Sequence, residues 1–193
     1  SALGGYSSLS PIFQEEKTLI PQFRQCTLDD LDTLQAFSRQ CFFETFAAMN
    51  TPENMEAYLD KAYAPEKLRA ELSDAHAAIY FLYWGDKLAG YLKLNESSAQ
   101  TDIHDGDSLE IERIYVTKAF QGQGLGHYLI DQAIDAALQQ KKKYIWLGVW
   151  EKNAKALHFY KQHGFYQIGA HSFVVGDDQQ TDLLMRKDLE VQP

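Results

Sequence analysis

Residues 121–126 read QGQGLG, and this hexapeptide lies between the apolar stretch LEIERIYV (109–116) and the helical stretch HYLIDQAIDAAL (127–138). Glycine adopts positive φ at little cost and lets the backbone approach a ligand closely. The start of a helix presents unpaired N–H groups and the positive end of the helix dipole. The stretch therefore predicts either an anion site suited to a phosphate or pyrophosphate or a tight turn that binds nothing.

Two common phosphate-binding motifs do not fit this loop. No Lys-Ser or Lys-Thr pair follows the glycines, so the loop is not a P-loop. The glycines are not spaced as GxGxxG, and the preceding strand comes late in the chain, which argues against a dinucleotide-binding fold.

Periodicity along the chain predicts a mixed α/β order, with an antiparallel first half followed by a strand–helix–strand unit that pairs in parallel. Gly85-Asp86 joins two apolar runs and indicates a hairpin. The predicted elements are a strand (22–27), helices (28–49, 52–63, 65–74), the hairpin (77–84, 87–96), a loop (96–107), a strand (109–116), a helix to about 140, a strand (144–150), a helix (153–163) and two strands (165–175, 181–187).

The composition indicates a single compact domain over residues 21–193, preceded by a small, polar, loose arm at 1–20. The chain has 193 residues, 45% of them hydrophobic, and no apolar run long enough to cross a bilayer. The first residues lack the basic and apolar regions of a secretory signal. Cys26 and Cys41 fit no metal spacing and are expected to be reduced thiols, which favours a cytoplasmic location.

The net charge of −9 restricts the partners that the protein can bind. Affinity for nucleic-acid backbones comes largely from clustered Lys and Arg, so direct nucleic-acid binding is not expected. An acidic surface instead attracts cationic small molecules.

A second motif, NAKALHFYKQHGF (153–165), directly follows the strand pattern YIWLGVW (144–150). Together with QGQGLG it resembles the GNAT acetyltransferase superfamily, because both motifs occur in the family's order with a strand between them. The residues that match its Q/R-x-x-G-x-G/A loop and its N-x-x-A-x-x-F-Y-x-x-x-G-F helix are Gln121, Gly124, Gly126, Asn153, Ala156, Phe159, Tyr160, Gly164 and Phe165.

The resemblance implies an α/β GNAT fold, with a central twisted mixed β-sheet of about seven strands flanked by helices. The stretches SLEIERIYV, IWLGVWEKN, GAHSF and GDxxQTDL are similar to the bacterial PaiA-type polyamine N-acetyltransferases. This narrower resemblance implies acetyl-CoA as the co-substrate, no metal, and a cationic amine such as spermidine or spermine that attacks the thioester directly in a ternary complex.

The same resemblance implies a set of cofactor-binding residues. The backbone at Ile114, Tyr115 and Val116 would contact the pantetheine arm, and Asn153 would contact it too while capping its helix. His127 stands where the family commonly has Lys or Arg, so one phosphate contact is expected to be weaker. The pyrophosphate would be held at Gln121, Gly122, Gln123, Gly124, Leu125, Gly126 and His127.

The expected chemistry names three further side chains. An alkylammonium with a pKa near ~10 must lose a proton before it attacks, and the resemblance puts the base at Glu112. Glu110 would attract the cationic substrate, although either carboxylate could instead pair with a cation. Tyr160 matches the family's general acid, and the alternative is a packed tyrosine whose hydroxyl is hydrogen-bonded.

Two other readings stay open. The acceptor could be another amine, such as an aminoglycoside, a peptide N-terminus or a lysine side chain. The protein could also be a regulator that binds acetyl-CoA without turnover, or that binds DNA. A homodimer is neither predicted nor excluded.

Overall fold

The computed structural model describes residues 20–190, so the predicted arm at 1–20 lies almost wholly outside the described residues. The strands are β1 (Pro21–Gln25), β2 (Ala77–Trp84), β3 (Lys87–Asn95), β4 (Ser108–Val116), β5 (Tyr144–Trp150), β6 (Tyr166–Val175) and β7 (Asp178–Asp188). The helices are α1 (Leu31–Phe46), α2 (Pro52–Ala62), α3 (Pro65–Ser73), α4 (Leu125–Gln139) and α5 (Ala154–Gln162), with short 3-10 turns at Leu28–Asp30, Ala47–Met49, Ser97–Ala99 and Lys118–Phe120.

Local sequence signals explain where these helices begin. The Thr51 hydroxyl accepts a hydrogen bond from the Asn54 amide, and Pro52 occupies the first turn of α2. Pro65 likewise occupies the first turn of α3, where Ala64 precedes it and no side chain caps the helix. The element order expected from periodicity is confirmed, with boundaries that shift by one to three residues.

All seven strands form one sheet in the order β1-β2-β3-β4-β5-β7-β6. Only β4 and β5 pair in parallel, and every other neighbouring pair is antiparallel. The predicted fold class, a mixed seven-stranded sheet flanked by helices, is confirmed.

Each face of the sheet has its own hydrophobic core. On one face, α4 packs Leu129, Ile130 and Ala133 against β3, β4 and β5. On the other face, α1, α2 and α3 bury Leu34, Leu59, Leu68 and their neighbours against β2 and β3. None of the helices in the described part of the chain is long and apolar enough to cross a membrane.

The parallel pair β4–β5 is short, and this shapes the centre of the molecule. Its register runs from Ser108↔Tyr144 only to Ile111↔Leu147, although β4 continues to Val116 and β5 to Trp150. The pairing of β4 with β3 shifts register at Glu112, which is a bulge residue. Beyond Ile111 and Leu147 the two strands therefore separate within the sheet.

Gly90 holds the far end of β4 against β3. A Cβ atom built at Gly90 would lie 2.5 Å from the carbonyl oxygen of Tyr115, and the Thr117 amide donates to the Ala89 carbonyl at 2.8 Å. Only glycine allows this close approach of two backbones.

We expect Gly90→Ala to destabilise the protein by about 2 kcal/mol, because its methyl group must push β4 away from β3. Gly106→Ala is the matched control, since a Cβ there meets no atom within 4 Å. Urea unfolding of both variants checks this. Equal midpoints for the two variants would contradict the close-approach argument.

Candidate active site

A cavity of about 630 Å³ opens where β4 and β5 separate. One end lies at residues 121–126, which we call the glycine loop. The other end is an aromatic recess, formed by Phe42, Phe46, Tyr58, Trp150 and Phe173. The cavity thus runs through the sheet and connects the α4–α5 face with the α1–α3 face.

The glycine loop has the backbone conformation that its sequence predicts. Gly122 and Gly124 have φ of 81° and 79°, values that other residues rarely adopt. Gly124 is the N-cap of α4, no side chain caps the helix, and the first turn has no acidic residue. The first amides of α4 are therefore left for an external acceptor, and an anion fits them.

The Gln121 side chain is held by two hydrogen bonds to neighbouring protein groups. Its side-chain amide donates to the Val116 carbonyl at 3.1 Å, and its Oε1 accepts from the Lys155 ammonium at 3.1 Å. Gln123 does not line the cavity, so the structure does not bring it to the expected cofactor site. Leu125, Gly126 and the loop glycines 122 and 124 do line it.

His127 lies beside the loop in a chain of hydrogen bonds. The Nδ1 of His163 lies 2.8 Å from the Phe159 carbonyl and must donate, so its Nε2 accepts from Nδ1 of His127 at 2.7 Å. The Nε2 of His127 faces the Asp131 carboxylate at 3.2 Å. The two ring nitrogens of His127 thus contact His163 and Asp131 at the side of the glycine loop.

Lys155 is a cation that sequence reasoning missed. It lies on α5, lines the cavity and contacts the glycine loop through Gln121. Its position two residues after Asn153 in the second motif was the available signal. Lys155 therefore places a positive charge beside the glycine loop at this end of the cavity.

The end of β4 presents main chain to the cavity, because its side chains are engaged elsewhere. Ile114 and Val116 pack against the core under α4, as predicted. The Tyr115 ring stacks on Tyr91 with centroids 5.6 Å apart. The edge of residues 112–116 that faces β5 has no strand partner, although Gln121 already occupies the Val116 carbonyl.

Tyr160 lies on α5 and lines the cavity on the α4–α5 face. Its ring packs against Phe159 and Phe165. Among the hydrogen bonds of residues 20–190, none involves the Tyr160 hydroxyl, which does not fit the alternative of a packed tyrosine with a hydrogen-bonded hydroxyl. Burial raises the pKa of Tyr160 well above its ordinary value, so the hydroxyl stays protonated and can donate.

Asn153 is the N-cap of α5, as expected. Its Oδ1 accepts from the Ala156 amide at 3.2 Å. Asn153 also lines the cavity beside the glycine loop, so capping and ligand contact are compatible.

Glu112 lines the cavity but is neutralised by cations. It accepts a short hydrogen bond from Lys93, and the Arg113 guanidinium lies 3.7 Å away. Arg113 also donates two 2.8 Å hydrogen bonds to Glu71. Burial acts to raise the pKa of Glu112, but Arg113 and Lys93 outweigh it and lower this pKa. A carboxylate held charged in this way is a weak proton acceptor, so the geometry disfavours Glu112 as the base.

Glu110 does not reach the cavity, contrary to the expected role in attracting substrate. Its side chain is almost completely buried, at 2% exposure. It accepts hydrogen bonds from Asn95 at 3.0 Å and from the Thr101 amide at 2.8 Å. The loop after β3 covers this carboxylate, and its contacts are those of a residue that anchors the loop.

A carboxylate in the aromatic recess was not singled out from the sequence. Asp182, on β7, lines the cavity on the α1–α3 face. The aromatic side chains around it pack on one another: Phe42 stacks on Tyr58 at 4.4 Å, and Phe46 meets Trp150 edge-on at 5.7 Å. Such rings exclude water and attract ammonium groups.

Contacts between distant parts of the chain hold the β6–β7 hairpin near the start of α2. The side-chain amide of Gln180 donates to the Asn50 side-chain oxygen at 3.0 Å, and the side-chain amide of Asn54 donates to the Asp177 carboxylate at 2.9 Å. These bonds join the β6–β7 hairpin to Asn50, which precedes α2, and to Asn54 in the first turn of α2.

Comparison with known proteins agrees with this architecture. A family model described as the acetyltransferase (GNAT) family matches residues 36–165. A protein of Lactobacillus delbrueckii subsp. lactis, named as an uncharacterized N-acetyltransferase in the pepI 3′ region, is 42% identical over 165 residues, which cover 86% of this chain and 95% of that protein. The chain therefore belongs to the GNAT acetyltransferase family and is an enzyme of the N-acetyltransferase class.

More distant similarities share the fold. The spermidine N(1)-acetyltransferase of Thermoplasma acidophilum is 24% identical over 176 residues, which cover 88% of this chain and 98% of that protein. The crystal structure of the PaiA N-acetyltransferase from the same organism, in complex with coenzyme A, has a TM-score of 0.71 and 20% identity, over 88% of this chain and 99% of that one.

We expect Lys155→Ala to weaken coenzyme A binding about tenfold, which is ~1.4 kcal/mol, because a cation beside the phosphate-binding loop is lost. Lys152→Ala is the control, since Lys152 is exposed and does not line the cavity. Calorimetry at low and high salt measures both. Identical affinities in the two variants would remove Lys155 from the cofactor site.

Proposed function

We propose that the protein transfers the acetyl group of acetyl-CoA to a primary amine of a cationic polyamine, with both substrates bound together. The observation that carries the proposal is the cavity itself. It joins an uncapped glycine-rich helix start at one end to an aromatic recess with a carboxylate at the other.

The donor would occupy the α4–α5 side. The free amides of the glycine loop and the first turn of α4, with His127 and Lys155 nearby, suit a pyrophosphate. The unpaired edge of β4 suits an extended arm that carries amide groups, since such an arm can bond to a strand edge. This arrangement would bring a thioester to the gap between β4 and β5.

The acceptor would enter from the α1–α3 side. The aromatic recess favours an ammonium group through cation–π attraction, and Asp182 adds a negative charge. The net charge of −9 draws cations to the protein as a whole. The name of the Thermoplasma acidophilum relative, a spermidine N(1)-acetyltransferase, supports a polyamine as the first acceptor to test.

Tyr160 would act on the leaving group. As the amide forms, the C–S bond breaks and the sulfur leaves with its electron pair, so a nearby protonated phenol stabilises it by donating. Tyr160 is suited to this because its hydroxyl is protonated and faces the cavity.

We expect coenzyme A release from acetyl-CoA with spermidine or spermine, at a kcat/KM at least tenfold above that for an aminoglycoside, a peptide N-terminus or a lysine side chain. A thiol-release assay with product mass spectrometry measures this. If one of the other amines is preferred, the enzyme class stands and the polyamine acceptor is wrong. If no amine is acetylated, the proposed activity fails.

We expect Tyr160→Phe to lower kcat about 100-fold while leaving coenzyme A affinity unchanged, because the variant loses only a proton donor. Tyr166→Phe is the control, since Tyr166 lies exposed on β6 and bonds Asp188 instead. An unaltered kcat in Tyr160→Phe would overturn the assignment.

A further inference from the structure

We propose that Asp182, and not Glu112, accepts the proton of the acceptor ammonium, and that His171 passes this proton on towards the solvent. The inference rests on the proposed acetyl transfer and assigns the group that prepares the amine for attack. It comes from the geometry around β5 and β7.

Asp182 lies where the sheet is open. It pairs with Trp150 on β5, beyond the point at which β4 has left β5. Gly148 is the one exposed residue of β5, and a Cβ atom there would lie 3.4 Å from the Asp182 Oδ2. The missing side chain at Gly148 thus leaves space for the carboxylate to face the gap.

The negative charge of Asp182 is also balanced by fewer nearby basic groups than that of Glu112. Among residues 20–190, the basic side chain within 4 Å of Asp182 is His171, whose Nε2 lies 3.8 Å from the Asp182 Oδ2. The Asp182 side chain is 23% exposed. Burial raises the pKa of Asp182 to about 6. At neutral pH it is therefore an ionised carboxylate with a higher proton affinity than an ordinary aspartate.

His171 gives this proton a way out. It lies on β6 directly opposite Asp182, and its Nδ1 is 3.1 Å from the Asp102 carboxylate. The His171 and Asp102 side chains are 36% and 41% exposed, so the three groups lead from the recess to the surface. The other titratable groups that line this part of the cavity, from α2, the residue after it, α3 and β4, are Tyr58, Tyr63, Lys67, Glu112 and Arg113.

The proposed step balances two protons. The ammonium gives one proton to Asp182, which passes it to His171 and then to water. The neutral nitrogen uses its lone pair to form the C–N bond with the thioester carbonyl carbon. As the C–S bond breaks, the sulfur leaves with its electron pair and gains a proton from Tyr160. The nitrogen loses its second proton to water in the cavity, and a proton from this water restores the Tyr160 hydroxyl. One proton is released per acetyl group.

The positions of the two groups are consistent with this division. Asp182 faces the gap from the α1–α3 face, whereas Tyr160 faces it from the α4–α5 face. Proton removal from the amine and proton donation to the sulfur would thus occur on opposite sides of the reacting carbonyl.

The test compares Asp182→Asn with Asp178→Asn, a matched change on the same strand at a residue outside the cavity. We expect wild-type kcat/KM for spermidine to rise with pH through about 6, as Asp182 loses its proton. This rise is the acid limb of the pH profile. Asp182→Asn should lose this limb and about 100-fold of the rate at pH 7, with unchanged coenzyme A affinity. Asp178→Asn should behave as wild type. His171→Gln should keep this limb and lower kcat/KM, because Asp182 then lacks the imidazole that takes its proton.

A second readout needs no turnover. The folded-state pKa of Asp182 is raised above its unfolded value of ~3.9, so the folded chain binds the proton more tightly. Stability from this site is therefore present at low pH and is lost as pH rises through about 6. The melting temperature of Asp182→Asn should rise relative to wild type between pH 4 and pH 7, as measured by calorimetry without ligand.

The outcomes separate the two proposals. A wild type that acetylates no amine overturns the proposed function, whereas the melting series still reports on the buried carboxylate. An active wild type whose Asp182→Asn variant keeps both rate and limb overturns the role of Asp182. If Glu112→Gln loses the limb instead, the base is Glu112.

Discussion

The early end of the β4–β5 pairing is the constraint on which the rest of the site depends. A central parallel pair that stops after four residue pairs leaves backbone N–H and C=O groups without partners in the middle of a sheet. Unpaired backbone groups are costly where water is excluded, so such a gap favours a ligand that can supply the missing hydrogen bonds. The bulge at Glu112 and the close approach at Gly90 keep β4 on β3 and away from β5.

Charge in the cavity is divided between compensated and uncompensated groups. Glu71, Lys93, Glu112 and Arg113 form a buried network of two carboxylates and two cations with no net charge. Such a network can orient neighbouring side chains, but removal of one member would leave an unpaired charge. Asp182, by contrast, faces a single imidazole and retains a proton affinity suited to exchange with a substrate.

Much of this molecule is readable from its sequence, and the reasons differ from element to element. Hydrophobic periodicity and the proline and threonine caps are local, so the helices and strands were predicted within a few residues. The glycine loop was predicted because positive φ and a free helix start are also local properties. Side-chain partners are not local: Glu112 meets Lys93 only when β3 and β4 pair, and Glu110 is covered by a loop. Asp182 was missed because its place in the cavity depends on strand order, which no short motif encodes. Lys155 was missed although it lies in the second motif, because the direction of its side chain depends on how α5 packs.

The hydrogen bonds that join the β6–β7 hairpin to Asn50 and to α2 have a consequence for the order in which the enzyme folds. Asn50 and Gln180 are 130 positions apart and hydrogen-bond to each other, whereas the glycine loop lies between β4 and α4, which are close in the chain. Contacts between distant positions form late because loop closure is costly in entropy. A nascent polypeptide could therefore assemble its nucleotide-binding half before the acceptor side exists, and selectivity for the amine would arise only once the final hairpin has docked.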